Sequence, residues 1–113
     1  MARLILRIEL DSKVRIGEDA IRLLELVEAK GSISAAARTH GLTFRRAWTV
    51  LDEVNRMFKT PAIATQCGGI DGGGARLTDF GREIIDRYRA IESIATCLTA
   101  DELSALEAAA NGP

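Results

Sequence analysis

Between Ser32 and Phe58 the chain reads SISAAARTHGLTFRRAWTVLDEVNRMF, two helical runs broken at one glycine, and few folds accommodate such a stretch. Ala35, Ala36 and Ala37 give the first run a face without bulk, on which another helix can close. Gly41 supplies the positive φ that ends that run, and the chain turns a sharp corner. Thr43 stands where an N-cap belongs. Ala47, Leu51, Val54 and Phe58 then recur at steps of four, three and four, one face of a second helix turned to a core. Its other face carries Arg45, Arg46, Thr49 and Arg56, with Phe44 and Trp48 near the front. This is the layout of a helix-turn-helix, whose second helix bonds phosphates and base edges. Trp48, beside Ala47, stands at the edge of the buried face, where it can pack inside or face out.

The flanks complete one domain, the size that 113 residues suggest. Leu4, Leu6, Ile8 and Leu10 alternate with Ile5, Arg7 and Glu9, a strand with one buried face. Asp11-Ser12-Lys13 breaks it before Val14 and Ile16, which allow a short second strand. A first helix runs from Glu18 to Lys30, with acids at its amino end and Lys30 at its carboxyl end, and Gly31 stops it. After Thr60-Pro61, the segments Ala62–Cys67 and Ala75–Thr78 are short strands around GGIDGGG, a hairpin spanning 62–78. Thr78 caps a long helix over 79–98, and Thr99-Ala100-Asp101-Glu102 reads as a capping box for a short helix from Leu103. The class expected is α+β, mostly α with small β: a winged helix-turn-helix over 32–59 and 62–78, closed by a long carboxyl-terminal helix.

Charge supports the assignment through its distribution. Net charge is only −1, but Arg38, Arg45, Arg46, Arg56 and Lys59 outnumber Asp52 and Glu53 within the helix-turn-helix. From Ala90 onward Glu92, Asp101, Glu102 and Glu107 face no base. Arg45 and Arg46 oppose the dipole of the helix they begin, so a local structural role does not explain them. Either could bond guanine O6 and N7 together, whereas Arg38, Arg56 and Lys59 are placed as phosphate anchors, and Arg76 at the hairpin base meets a phosphate or only solvent.

Other chemistries find little footing. The glycine loop lacks GxxxxGK[ST] and a following Lys, which argues against a nucleotide site. Cys67 and Cys97 match no zinc spacing and form no CxxC, so they and His40 read as structural, with no metal or catalytic set; the chain is expected to be no enzyme. No apolar run is long enough to cross a bilayer and the charged start is no signal peptide, so a cytoplasmic protein is expected.

The ordered set Ser32–Arg38, Arg46-Ala47-Trp48, Asn55 with Met57-Phe58, and Gly72–Thr78 closing on Phe80-Gly81 resembles the amino-terminal winged helix-turn-helix of the ModE family of molybdate-responsive regulators, relatives of LysR-type DNA-binding domains. The resemblance covers almost the whole chain and implies three helices, a wing and a long dimerisation helix. It implies double-stranded DNA as partner, a homodimer on a near-palindrome, and a role in molybdate transport or molybdenum metabolism. Full-length members bind molybdate in small β-barrel modules. No β-rich segment follows the long helix here, so no cofactor is expected of these residues, and a separate oxyanion-sensing protein is a conceivable partner. The dimer stripe expected on the long helix is Ile84, Tyr88, Ile91, Ile94 and Leu98, part of an apolar face broader than one small domain needs. The alternative from another class is a winged-helix protein-interaction module without DNA binding. Retention on heparin, lost on double substitution of Arg45 and Arg46, separates the two.

Overall fold

The computed structural model describes residues 1–11, 14–66 and 74–112. Strands β1 (Arg7–Glu9) and β2 (Arg15–Gly17) form an antiparallel ribbon in register Ile8 to Ile16, joined by a bond from the Leu10 N–H to the Val14 carbonyl. Within the described residues the first strand therefore pairs in its own chain. Helices α1 (Glu18–Lys30), α2 (Ile33–His40) and α3 (Phe44–Met57) follow. A second antiparallel pair, β3 (Ile63–Thr65) and β4 (Ala75–Leu77), precedes α4 (Asp79–Leu98) and α5 (Ala100–Ala109).

The ends of the first three helices are set by local chemistry. Gly31 and Gly41 take left-handed φ values of 78° and 84°. The Gly41 and Leu42 N–H groups both bond the Ala37 carbonyl at 2.9 Å, which satisfies carbonyls that the helix end would otherwise leave open. Ser32, Thr43 and Thr78 cap α2, α3 and α4, their hydroxyls accepting from the Ala35, Arg46 and Gly81 N–H groups. Thr99 departs from the expected capping box. Its hydroxyl donates back to the Ala95 carbonyl at 2.7 Å, and α5 starts one residue later, at Ala100 rather than Leu103. The open carbonyl at the end of α4 is the nearer partner for that hydroxyl.

Ile21, Leu23, Leu24 and Val27 of α1 lie at the centre of the core, with Ala36 and Ala37 of α2 and Ala47, Leu51 and Val54 of α3 against them. The alanines let α2 close on its neighbours, as the small-residue face requires. The wing strands are fastened to this core at two points. Gly31, at the end of α1, accepts from the Ala75 N–H at 2.9 Å, which ties β4 to the first helix. Asn55 of α3 accepts from the Ala62 and Ile63 N–H groups at 2.8 and 3.1 Å and donates to the Ile63 carbonyl. One amide thus holds the root of the wing to the second helix of the helix-turn-helix, and Phe58 stacks edge-on against Phe80, joining the end of α3 to the start of α4.

Helix α4 lies against α1 through charge as well as apolar contact. Arg82 pairs with Glu28, and one helical heptad later Arg89 bonds Glu25 and Glu18 on α1 and Glu92 on α4 at 2.7 to 3.2 Å. The order of these pairs makes α1 and α4 antiparallel. The Arg89 hydrogen bonds hold the Glu25 carboxyl below its ordinary range, against an opposing push from burial. A depressed carboxyl contributes stability above the unfolded-state pKa and loses it as pH falls through the folded one. The thermal midpoint is therefore expected to drop on acidification below about pH 4.5. In Arg89→Met, which leaves three half-buried carboxylates facing one another, stability at pH 7 should be lower by roughly 1–3 kcal/mol and the acid drop should shrink or reverse. Thermal unfolding followed by circular dichroism from pH 7 to pH 3.5 checks both signs.

Two residues expected in the dimer stripe pack within the chain itself. Ile84 is 8% exposed and Tyr88 2% exposed, and the Tyr88 hydroxyl donates to the Leu6 carbonyl at 2.5 Å beneath the first strand. Burial there pushes the Tyr88 hydroxyl above its ordinary pKa. The stripe left in solvent is Ile91, Ile94 and Leu98, the last two 60% and 78% exposed. No described helix is long and apolar enough to cross a membrane.

Candidate nucleic-acid interface

At 100° per residue, the buried positions Ala47, Leu51 and Val54 define an inward direction on α3. Arg45 lies within about 30° of the opposite direction, whereas Arg46 lies about 70° from it. Arg46 instead borders a surface groove formed with Leu6, Arg7, Asp19, Val50 and Glu53. The adjacent arginines thus diverge, and Arg45 is the one at the crown of the helix. Thr49 and Arg56 follow it along that crown. The Thr49 hydroxyl, however, donates to the Arg45 carbonyl at 2.9 Å, so it is already engaged within the helix. Arg56 is engaged too, bonded to Asp52 one turn back at 3.0 Å. Thr43 is occupied as the N-cap.

Two groups of the remaining bases contrast, while Arg3, Arg7, Arg22 and Lys30 elsewhere on the surface also have no ion-pair partner among the described residues. All three arginines of α4 (Arg82, Arg87 and Arg89) are in ion pairs. Arg38 in α2, Arg45 and Arg46 in α3, Lys59 after α3 and Arg76 in β4 are exposed, and none has an ion-pair partner among the described residues. No acid sits in the first turn of α3 to offset Arg45 and Arg46. The helix-turn-helix and wing therefore present cations whose local environment does not neutralise them.

Phe44 and Trp48 stand out of the core at 53% and 47% exposure, which settles the position of Trp48 on the solvent side of its helix edge. Asn55 is the residue whose role at this site spacing arguments did not assign. A polar amide inside an otherwise apolar-edged helix was the signal, since its bonding groups need partners. The glycine-rich tip over 67–73 and Cys67 within it lie outside the described residues. Cys97 is an exposed free thiol, because the carboxyl-terminal half of α4 projects beyond the core. No group of metal-ligating side chains occurs among the described residues.

A three-helix core, a sharp α2–α3 corner, a β3–β4 hairpin rooted on α3, and a long following helix define a small α+β protein of the winged helix-turn-helix class. Comparison with known proteins then gives its relatives. The chain is 40% identical over 92 residues to the molybdenum transport protein ModE of Azotobacter vinelandii, covering 80% of this chain and 34% of that one. It is 40% identical over 91 residues to the molybdenum-pterin-binding protein MopB of Rhodobacter capsulatus, with the same two shares. It is 31% identical over 93 residues to the DNA-binding transcriptional dual regulator ModE of Escherichia coli K12, covering 82% of this chain and 36% of that regulator. Over about 80% of its length the chain is thus similar to ModE and molybdenum-pterin-binding proteins. It spans about a third of the length of these relatives. No protein-family model matches it.

Proposed function

We propose that this protein is a sequence-specific DNA-binding transcriptional regulator, working as a dimer on a near-palindromic operator in the control of molybdate transport or molybdenum metabolism. The observation that carries the reading is Arg45: exposed, without an ion-pair partner among the described residues, and set on the crown of α3 where the helix dipole disfavours it. In this reading α3 enters the major groove and Arg45 reads guanine through O6 and N7. Arg38, Lys59 and Arg76 bond phosphates, and Arg56 does so by exchanging Asp52 for the DNA backbone. The exposed Ile91, Ile94 and Leu98 meet a second copy. Two α3 helices then lie about 34 Å apart, or a multiple of it, and read two half-sites. The molybdenum link rests on the names of the relatives.

The test is an anisotropy titration of the protein against its own upstream DNA and a scrambled duplex, at two salt concentrations, with and without molybdate. Binding that prefers the upstream duplex and weakens steeply with salt is the expected outcome. It should be unaltered by molybdate, because the family resemblance assigns that ligand to modules outside this portion. Equal affinity for both duplexes would point instead to a winged-helix module that binds proteins.

A further inference from the structure

Phe44 and Trp48 are large apolar side chains that the helix-turn-helix leaves in water. Neither belongs to the cluster that buries Ala47, Leu51 and Val54 and receives Val50, Met57 and Phe58 at its edge. The aromatic contact between Phe58 and Phe80 involves neither ring. Four residues apart on one helix, they lie one above the other, in line with Asn55 seven residues on. They therefore occupy the side of α3 that leads from the crown at Arg45 toward the root of the wing, which Asn55 holds.

The chemistry around the pair narrows what can cover it. Arg45, beside it in sequence, and Arg38 are cations with no ion-pair partner among the described residues. The Thr49 hydroxyl, next to Trp48 in sequence, is bonded to its own helix. The surface thus asks for an occupant that is anionic overall, yet offers apolar groups at points between its charges. In the major groove one base edge carries such a group, the C5-methyl of thymine. An aromatic ring covering that methyl removes apolar surface from water on both sides. We propose that Phe44 and Trp48 read thymine methyl groups, so that the half-site contains thymine on the wing side of the base pair bonded by Arg45.

This inference rests on the DNA-binding reading above, and the experiment keeps the two apart. The protein is used to enrich duplexes from a randomised pool, and the enriched duplex is resynthesised with deoxyuridine replacing thymine at one position at a time, which deletes only the methyl. Binding is measured by anisotropy for the wild type, Phe44→Ala, Trp48→Ala and Phe44→Leu, each first checked for an unchanged thermal midpoint. The expected result is a loss of about fourfold at each thymine whose methyl is covered, the equivalent of withdrawing one methyl-sized group from water at roughly 0.8 kcal/mol. That loss should vanish in the matching alanine variant and persist in part in Phe44→Leu. Enrichment followed by no uridine penalty at any position would overturn the inference and leave DNA binding standing. A penalty that survives in both alanine variants would assign the methyl to another side chain, and overturn it likewise. Failure to enrich any duplex would overturn the DNA-binding reading and this one with it.

Discussion

Gly81→Ala is expected to destabilise the protein by roughly 3 kcal/mol or more, a large fraction of a small domain's stability. A Cβ built at Gly81 falls far inside contact distance of the Ala62 carbonyl oxygen and 3.1 Å from its carbon, and the obstacle is backbone rather than a side chain that can swing away. That backbone is fixed from several sides. The Ala62 carbonyl accepts from the Thr78 N–H at 3.0 Å, its N–H is held by Asn55, and the Thr78 hydroxyl donates to the Pro61 carbonyl at 2.7 Å. Relief would require the first turn of α4 to lift from the wing root, which breaks the Phe58–Phe80 contact and the cap at Thr78 together. Denaturant titration followed by circular dichroism measures the effect. A variant within about 1 kcal/mol of wild type would mean that the α4–wing junction is looser than this packing indicates.

The second large effect concerns binding and divides the two adjacent arginines. Arg45→Ala is expected to weaken binding to the preferred duplex by about 10- to 100-fold, the range for one bidentate base contact, and to relax selectivity at a single base pair. Arg46→Ala, on the groove side of α3, should weaken binding to preferred and scrambled duplexes alike and lower the salt slope by about one. The two alanine variants measured on both duplexes at several salt concentrations separate these outcomes. Selectivity lost through Arg46 and kept without Arg45 would reverse the assignment. Arg45 is exposed and its removal breaks no ion pair among the described residues, so a folding defect is not expected to obscure the reading.

What could be read from the chain was local. Gly31 and Gly41 end helices because their φ values are positive, and Thr43 and Thr78 begin helices because a hydroxyl three residues ahead reaches an open N–H. The bounds of α1 follow from the acids at one end, Lys30 and Gly31 at the other, and the apolar spacing between. Thr99 shows the limit even there. The same hydroxyl can serve the helix before it or the helix after it, and the strength of two nearby alternatives differs too little for spacing to choose.

The long helix illustrates the other limit. Its apolar stripe was legible as a stripe, but periodicity does not say which neighbour covers each rung. Ile84 and Tyr88 pack into the core of their own chain, Tyr88 bonding Leu6 just before the first strand, while Ile91, Ile94 and Leu98 remain in water. Glu18 at the front of α1 read as a favourable charge near a helix amino end, whereas packing also engages it, with Glu25, in holding Arg89 some seventy residues away. Asn55 and Gly81 likewise take their roles from one peptide, Pro61–Ile63, that only the folded chain brings to both.

The sequence by itself determined the first four helices, the caps at Thr43 and Thr78, the corner at Gly41 and the basic front of α3, because each arises among residues within a few positions of one another. The tertiary structure decided which cations have no ion-pair partner among the described residues, which part of the long stripe stays exposed, and why Gly81 admits no side chain. Those outcomes depend on groups distant in the chain competing for the same space and the same hydrogen bonds, and that competition is resolved only when the helices pack.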